Sequence, residues 1–102
     1  MSEKQGVSNS GNDPKTVWVE VLTASGCVRC QETKALAKVI IAELGNHSIQ
    51  YREINVVDNI DYAVQLGVIS APAIALNGEL VFPGPPSKAK LRQAILERLG
   101  EP

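Results

Sequence analysis

The chain predicts an α/β fold in which a central four-stranded mixed sheet is flanked by three helices. Three observations predict it. A near-continuous apolar run, Val17 to Leu22, leads into a helix-periodic segment and then a second β-like run. That order makes a βαβ unit with a right-handed crossover. Asn77-Gly78 lies between two short apolar runs, Ile74–Leu76 and Leu80–Phe82, as in a two-residue hairpin whose strands are antiparallel. Finally, the segment after Ser87 carries Leu91, Ile95 and Leu99 on one helical face, with Lys88, Arg92 and Glu97 elsewhere.

The 102 residues suit one domain, large enough to bury a core without disulfide staples. Met1 to Pro14 is rich in Ser, Gly and Asn and is expected to be a flexible tail, with the single domain spanning 15–102. The tail has no apolar segment, so no secretory signal is expected. No apolar run approaches the roughly 20 residues that span a bilayer. The expected location is the cytoplasm, where thiols are held reduced and a cysteine pair is more often catalytic than structural. Net charge is −1, with no basic block and only one Trp, two Tyr and one Phe. That balance argues against nucleic acid as a partner. With no obvious apolar run left for the surface, a monomer is expected.

Taken in order, Thr16–Leu22 is interrupted only by Glu20. Its hydrophobicity suits a strand covered on both faces. Trp18 is expected in the core. Glu20 is expected at a solvated end, the usual situation of a charged residue; the alternative is a partly buried acid that assists proton transfer. From Gln31 to Leu44, residues Ala35, Leu36, Val39, Ile40 and Leu44 recur at helical spacing, and Gly45-Asn46 supplies a stop. His47, the only histidine, is expected to be a solvated loop residue. Ile49–Val57 reads as the second strand. Asp58-Asn59 caps a short helix bearing Ile60, Tyr62, Ala63 and Leu66, which ends at Gly67. Pro72 opens the third strand, where its missing N–H is tolerated. Pro83-Gly84-Pro85-Pro86 breaks the sheet, and Ser87 caps the last helix.

Both cysteines lie in Gly26-Cys27-Val28-Arg29-Cys30, between the first strand and the first helix. N–H groups in the first turn of a helix have no intrahelical partner, and the helix dipole places partial positive charge there. Both favour a thiolate, the attacking species in thiol chemistry, and Arg29 adds a full charge. Cys27, nearer the helix start, is the nucleophile candidate; Cys30 is placed to attack a mixed disulfide formed on it. Three other readings compete. They are two buried structural cysteines, half of a zinc site needing about four ligands, and a structural disulfide closing too short a loop to restrain the unfolded chain much. The strand–helix setting favours redox chemistry.

With Gly67-Val68-Ile69-Ser70-Ala71-Pro72-Ala73, Asn77-Gly78-Glu79 and Gly84 added to the Cys-x-x-Cys stretch, residues Thr16 to Leu99 resemble the thioredoxin fold. Within it the chain is most similar to the small thioredoxin-like redox-active disulfide proteins. The resemblance implies a thiol–disulfide oxidoreductase, an enzyme that reduces protein disulfides. Cys27 would be its exposed nucleophile and Cys30 its resolving thiol, with neither organic cofactor nor metal. It further implies that Pro72 is a cis-proline lying against the disulfide and discouraging a bound metal. The backbone of Ala71 would then pair with an extended substrate, and Gly84 would form the opposite groove wall. Gly26, Val28 and Arg29 would complete the substrate-binding set. Partners would be disulfide-containing proteins and an upstream reductant, either thioredoxin-reductase-like or glutathione.

The sequence also departs from thioredoxin itself. Val28-Arg29 replaces Gly-Pro, Gly26 replaces tryptophan before Cys27, and Val21 occupies the position of the family's buried aspartate. Glu20 is adjacent but faces the other way, because strand side chains alternate. Two alternatives from other classes are a metal- or iron–sulfur-binding module sharing the cysteines across a dimer, and an interaction module in which they are incidental.

Overall fold

The computed structural model describes residues 16–100. The elements, in order, are β1 (Val17–Thr23), α1 (Val28–Leu44), β2 (Ile49–Asn55), α2 (Ile60–Leu66), β3 (Ala73–Leu76), β4 (Glu79–Phe82) and α3 (Lys88–Leu99). Among the described residues the strands form one sheet of order β2-β1-β3-β4. β1 pairs in parallel with β2, from Val17↔Ile49 to Thr23↔Asn55. On its other side β3 runs antiparallel, with Leu22 opposite Ala73. The mixed four-stranded sheet with three helices is therefore the architecture expected, and the tail at 1–14 lies outside the described residues.

β1 is buried on both faces because each face has its own helical cover. Val17, Val19 and Val21, with Ile74 and Leu76 of β3, pack under Ala37 and Ile40 of α1 and Leu91 and Ile95 of α3. Strand alternation sends Leu22 the opposite way. There it joins Ile54, Ala73, Ala75 and Ala63, with Tyr62 and Leu66 of α2 against the cluster.

Several boundaries and faces differ from expectation, each for a local reason. α1 begins at Val28, not Gln31, because Cys27 serves as its N-cap. Its fully buried residues are Cys30, Thr33, Ala37 and Ile40, whereas Ala35 and Val39 are exposed. The sheet-facing stripe is built partly from small or polar residues that hydropathy alone passes over. β2 stops at Asn55 because the Asn55 Oδ1 accepts from the N–H groups of Val57 (2.9 Å) and Asp58 (3.2 Å), turning the chain. Asn59 stands at the N-cap of α2 but provides no side-chain cap; its amide instead donates to the Asn55 carbonyl at 3.0 Å. The hairpin and the last helix form as expected. Asn77 (φ 53°) and Gly78 (φ 79°) both take the left-handed conformation that a two-residue turn requires. Ser87 Oγ accepts from the Lys90 N–H at 3.2 Å. His47 is exposed.

Trp18 is not a core residue. It is half-buried, with the Arg52 guanidinium 5.1 Å from its ring centre. Glu20 overturns its expectation more sharply. It lies mid-strand in the central strand of the sheet and is 1 % exposed, far from any solvated end. The register explains why this is tolerated: Arg52 is its direct partner on β2. Arg52 donates to Glu20 Oε2, and the Tyr62 hydroxyl donates to Oε1.

Candidate active site

The turn Thr23–Cys27 carries the chain from the buried end of β1 to the start of α1. Gly26 makes this possible with φ +74°, and a Cβ there would meet no atom within 4 Å. Glycine is therefore required for its backbone conformation and not for space. Cys27 follows in an extended conformation and caps the helix, its Sγ accepting from the Cys30 N–H at 3.1 Å. No acidic residue occupies the first turn of α1. Nothing there competes with negative charge on sulfur, and Arg29 is exposed one residue into the turn.

Cys27 and Cys30 are joined to each other, with Cα atoms 5.2 Å apart, inside the usual range for a disulfide. Their environments differ. Cys30 is 1 % exposed, on the buried stripe of α1, whereas Cys27 is only half-buried at the rim. An incoming group thus reaches one sulfur and not the other.

The Ala71–Pro72 bond is cis. Because Ala73 pairs with Leu22, Pro72 comes down opposite Thr23, at the same sheet end as the cysteine turn. Pro72 is buried and Ala71 half-buried. Among the described residues, neither the N–H nor the C=O of Ala71 has a backbone partner. Gly84 is the outlier of the set. It lies in the β4–α3 loop, in a depression of about 370 Å³ lined by Phe82, Pro83, Pro85, Pro86, Ser87 and Lys90, which includes neither cysteine. A Cβ at Gly84 would meet nothing within 4 Å, so the isolated chain does not require glycine there.

Sequence reasoning missed one residue at this end of the molecule. Ile69, three residues before Pro72, is 98 % exposed, and Val28 beside Cys27 is also exposed. The available signal was an isoleucine inside a Gly-Val-Ile-Ser-Ala-Pro loop with no helical or strand periodicity to bury it. The proton-transfer role considered for Glu20 gains no support, because both its oxygens are taken by Arg52 and Tyr62. Tyr62 is pushed up to about 12 by burial and by the Glu20 carboxylate it bonds.

Against known proteins, residues 17–96 match the family model described as "Thioredoxin domain". The chain belongs to the thioredoxin-domain family. A thioredoxin of Methanocaldococcus jannaschii is 31% identical over 83 residues, covering 81% of this chain and 96% of that protein. A probable thioredoxin of Methanothermobacter thermautotrophicus is 30% identical, covering 79% and 94%. Among solved structures, a point mutant of a Halobacterium salinarum thioredoxin aligns with a TM-score of 0.68 at 22% identity, covering 81% of this chain and 74% of that one. Fasciola hepatica thioredoxin aligns at 0.64 and 18%, covering 82% of each chain. At those identities the structures attest the fold. Family membership together with the bonded Cys27–Cys30 pair makes this thioredoxin-like chain a thiol–disulfide oxidoreductase, and implies disulfide-bearing substrates and a reductase in general. Among the described residues, no helix is long and apolar enough to cross a membrane.

Proposed function

We propose that this protein reduces protein disulfides, with Cys27 as attacking sulfur and Cys30 as resolving sulfur. In the reduced protein, the Cys27 thiolate attacks one sulfur of a target disulfide. A Cys27–target bond forms, and the second target sulfur leaves as a thiolate that takes up a proton. Cys30, having lost its proton, then attacks the Cys27 sulfur. The Cys27–Cys30 bond forms, and the first target sulfur leaves and is protonated. Two electrons pass to the target. An upstream reductant, a thioredoxin-reductase-like protein or glutathione, returns the pair to the dithiol.

The observation that carries this assignment is the asymmetry of the pair: Cys27 reachable and bonded to the Cys30 N–H, Cys30 buried. A neutral thiol gains little from that N–H at a helix start, whereas a thiolate gains a charge-assisted hydrogen bond. Around the sulfurs, Gly26, Val28 and Arg29 form the near rim of the substrate site. The free backbone of Ala71 beside Pro72 offers hydrogen bonds to an extended target. Ile69 adds apolar contact. Each chain holds both sulfurs of the exchange, so a monomer completes the cycle. A reductase role fits a cytoplasmic setting, where thiols are kept reduced.

The test is insulin reduction driven by dithiothreitol, comparing wild type with Cys27→Ser and Cys30→Ser. Cys27→Ser should match buffer alone, while Cys30→Ser, reduced and then freed of dithiothreitol, should accumulate a covalent complex with the target. Wild-type turnover no faster than Cys27→Ser overturns the assignment.

A further inference from the structure

We propose that the loop before α2 and the outer face of that helix form a second docking surface, separate from the sulfurs, for a partner segment combining apolar and basic side chains. This rests on the oxidoreductase reading and adds the chemistry of the protein partner.

Val57, Ile60 and Val64 are 72 %, 56 % and 67 % exposed. Ile60 and Val64 stand one turn apart on the same face of α2, away from the Tyr62, Ala63 and Leu66 that cover the sheet. A single exposed aliphatic residue is ordinary, but a cluster of them marks a contact surface. Apart from Val28 and Ile69 at the exchange site, the described residues expose only one other large aliphatic side chain, Val39 on α1.

Charge specifies the occupant. Asp58 and Asp61 lie within this apolar stretch, exposed and with no cation in bridging range among the described residues. Glu20, Glu43 and Glu79 each have one and Glu53 has two, while Glu32 and Glu97, which also have none, stand on α1 and α3 away from this apolar stretch. The first-turn position of Asp61 suits the α2 dipole; Asp58, outside the helix, has no such account. No Lys or Arg occurs between Arg52 and Lys88, and Arg52 is itself engaged by Glu20, so this stretch supplies no cation to Asp58 or Asp61. Arg29 sets the opposite sign on α1, which covers the other face of the sheet.

Backbone continuity joins the two surfaces. The Val56 N–H bonds the Thr23 carbonyl at 2.9 Å, so residue 57 leaves the sheet at the end where the cysteine turn begins. A target held at Cys27 by its disulfide has α2 within reach at this sheet end, where lysine or arginine beside apolar residues is matched and acidic residues are repelled.

The experiment uses the full chain with dithiothreitol and three substrates. Two are synthetic peptides sharing one intramolecular disulfide and the same leucines, one carrying lysines and the other glutamates at the remaining positions. The third is hydroxyethyl disulfide, small and neutral. Wild type should reduce the lysine peptide with the higher kcat/KM. Asp58→Asn with Asp61→Asn should lower that value about fivefold, the scale of two solvent-screened charge pairs, and Ile60→Ser with Val64→Ser about tenfold. Hydroxyethyl disulfide turnover should stay unchanged in both variants, which also reports intact folding. Equal wild-type rates on the two peptides, or lysine-peptide rates untouched by both variants, overturn the proposal. A wild-type dimer in sedimentation that Ile60→Ser with Val64→Ser dissolves assigns the surface to a second copy and overturns it too. Failure of wild type on hydroxyethyl disulfide would instead strike the oxidoreductase reading.

Discussion

The two faces of the sheet are built on different principles. Under α1 and α3 the contact is made by volume: valines of β1, Ile74, Leu76, Ile40, Leu91 and Ile95, all shielded from water. Under α2 Leu22 and Ile54 are joined by small residues, Ala63, Ala73 and Ala75, with a charged and hydrogen-bonded group set among them. The thick face holds the helix that presents the disulfide. The thin face holds the short helix that feeds the Pro72 loop and turns apolar and acidic side chains outward. A bulky core fixes position through close packing, whereas a seven-residue helix has too few contacts for that and relies on directional bonds. The difference teaches where stability resides and where a partner meets the least rigid surface.

Truncating Ile40 to Ala should show the largest effect, because a fully buried isoleucine leaves a cavity that the sheet and α3 cannot close. The loss should be about 2–5 kcal/mol by urea unfolding of the oxidised protein. Leu66→Ala, half-buried on the thin face, should cost less than about 2 kcal/mol. The reverse order would break the contrast between the faces.

Next in size is Glu20→Gln. The amide offers one acceptor where the carboxylate offered two charged oxygens, and turns an N–H toward Arg52 or Tyr62. The expected loss is about 1–3 kcal/mol, measured the same way. Tyr62→Phe removes only one of those bonds and should cost about 1 kcal/mol. The sign of its pH dependence follows from a hydroxyl raised to about 12 from the ordinary 10.0. Its contribution is whole below the ordinary value and is lost as pH rises through about 12. Across neutral pH, the gap between wild type and Tyr62→Phe should therefore be flat. A gap that closes between about pH 6 and 8 would remove Tyr62 from the clamp.

These residues also show where sequence reading stopped. The order of elements was legible because hydropathy alternates by element and because Asn77-Gly78, Ser87 and Gly67 are local signals whose meaning needs no distant partner. Cys27 and Cys30 were legible for the same reason: a capping position is set by its immediate neighbours. Glu20 was not, because its burial depends on Arg52 and Tyr62, residues brought to it only by strand register and helix placement. Ala37 and Thr33 were missed on α1 because a helix lying close to a sheet buries small residues, which carry little hydropathy signal. The outward aliphatics of α2 make the opposite point: apolar character predicts burial unless a surface has another use.

The smallest expected effect sharpens the contrast from the sheet's edge. Glu53 on β2 receives Lys34 at 3.5 Å and Lys38 at 3.4 Å from α1, with the Tyr51 hydroxyl at 3.0 Å, and so ties the thick-face helix to the edge strand. Burial pushes its carboxyl upward, but the Tyr51 hydroxyl and the two lysines outweigh this and hold it below its ordinary 4.5. A carboxyl lowered on folding contributes stability that is present above 4.5 and disappears as pH falls through the folded value. Water reaches this cluster, so Glu53→Gln should cost less than about 1 kcal/mol near pH 7 and less again in high salt. Unfolding curves of the two proteins should converge as pH drops from about 5 toward about 3. A difference that persists unchanged at the acid end would mean that Glu53 acts through packing, and that directional bonds also do less than supposed where α1 meets the sheet edge.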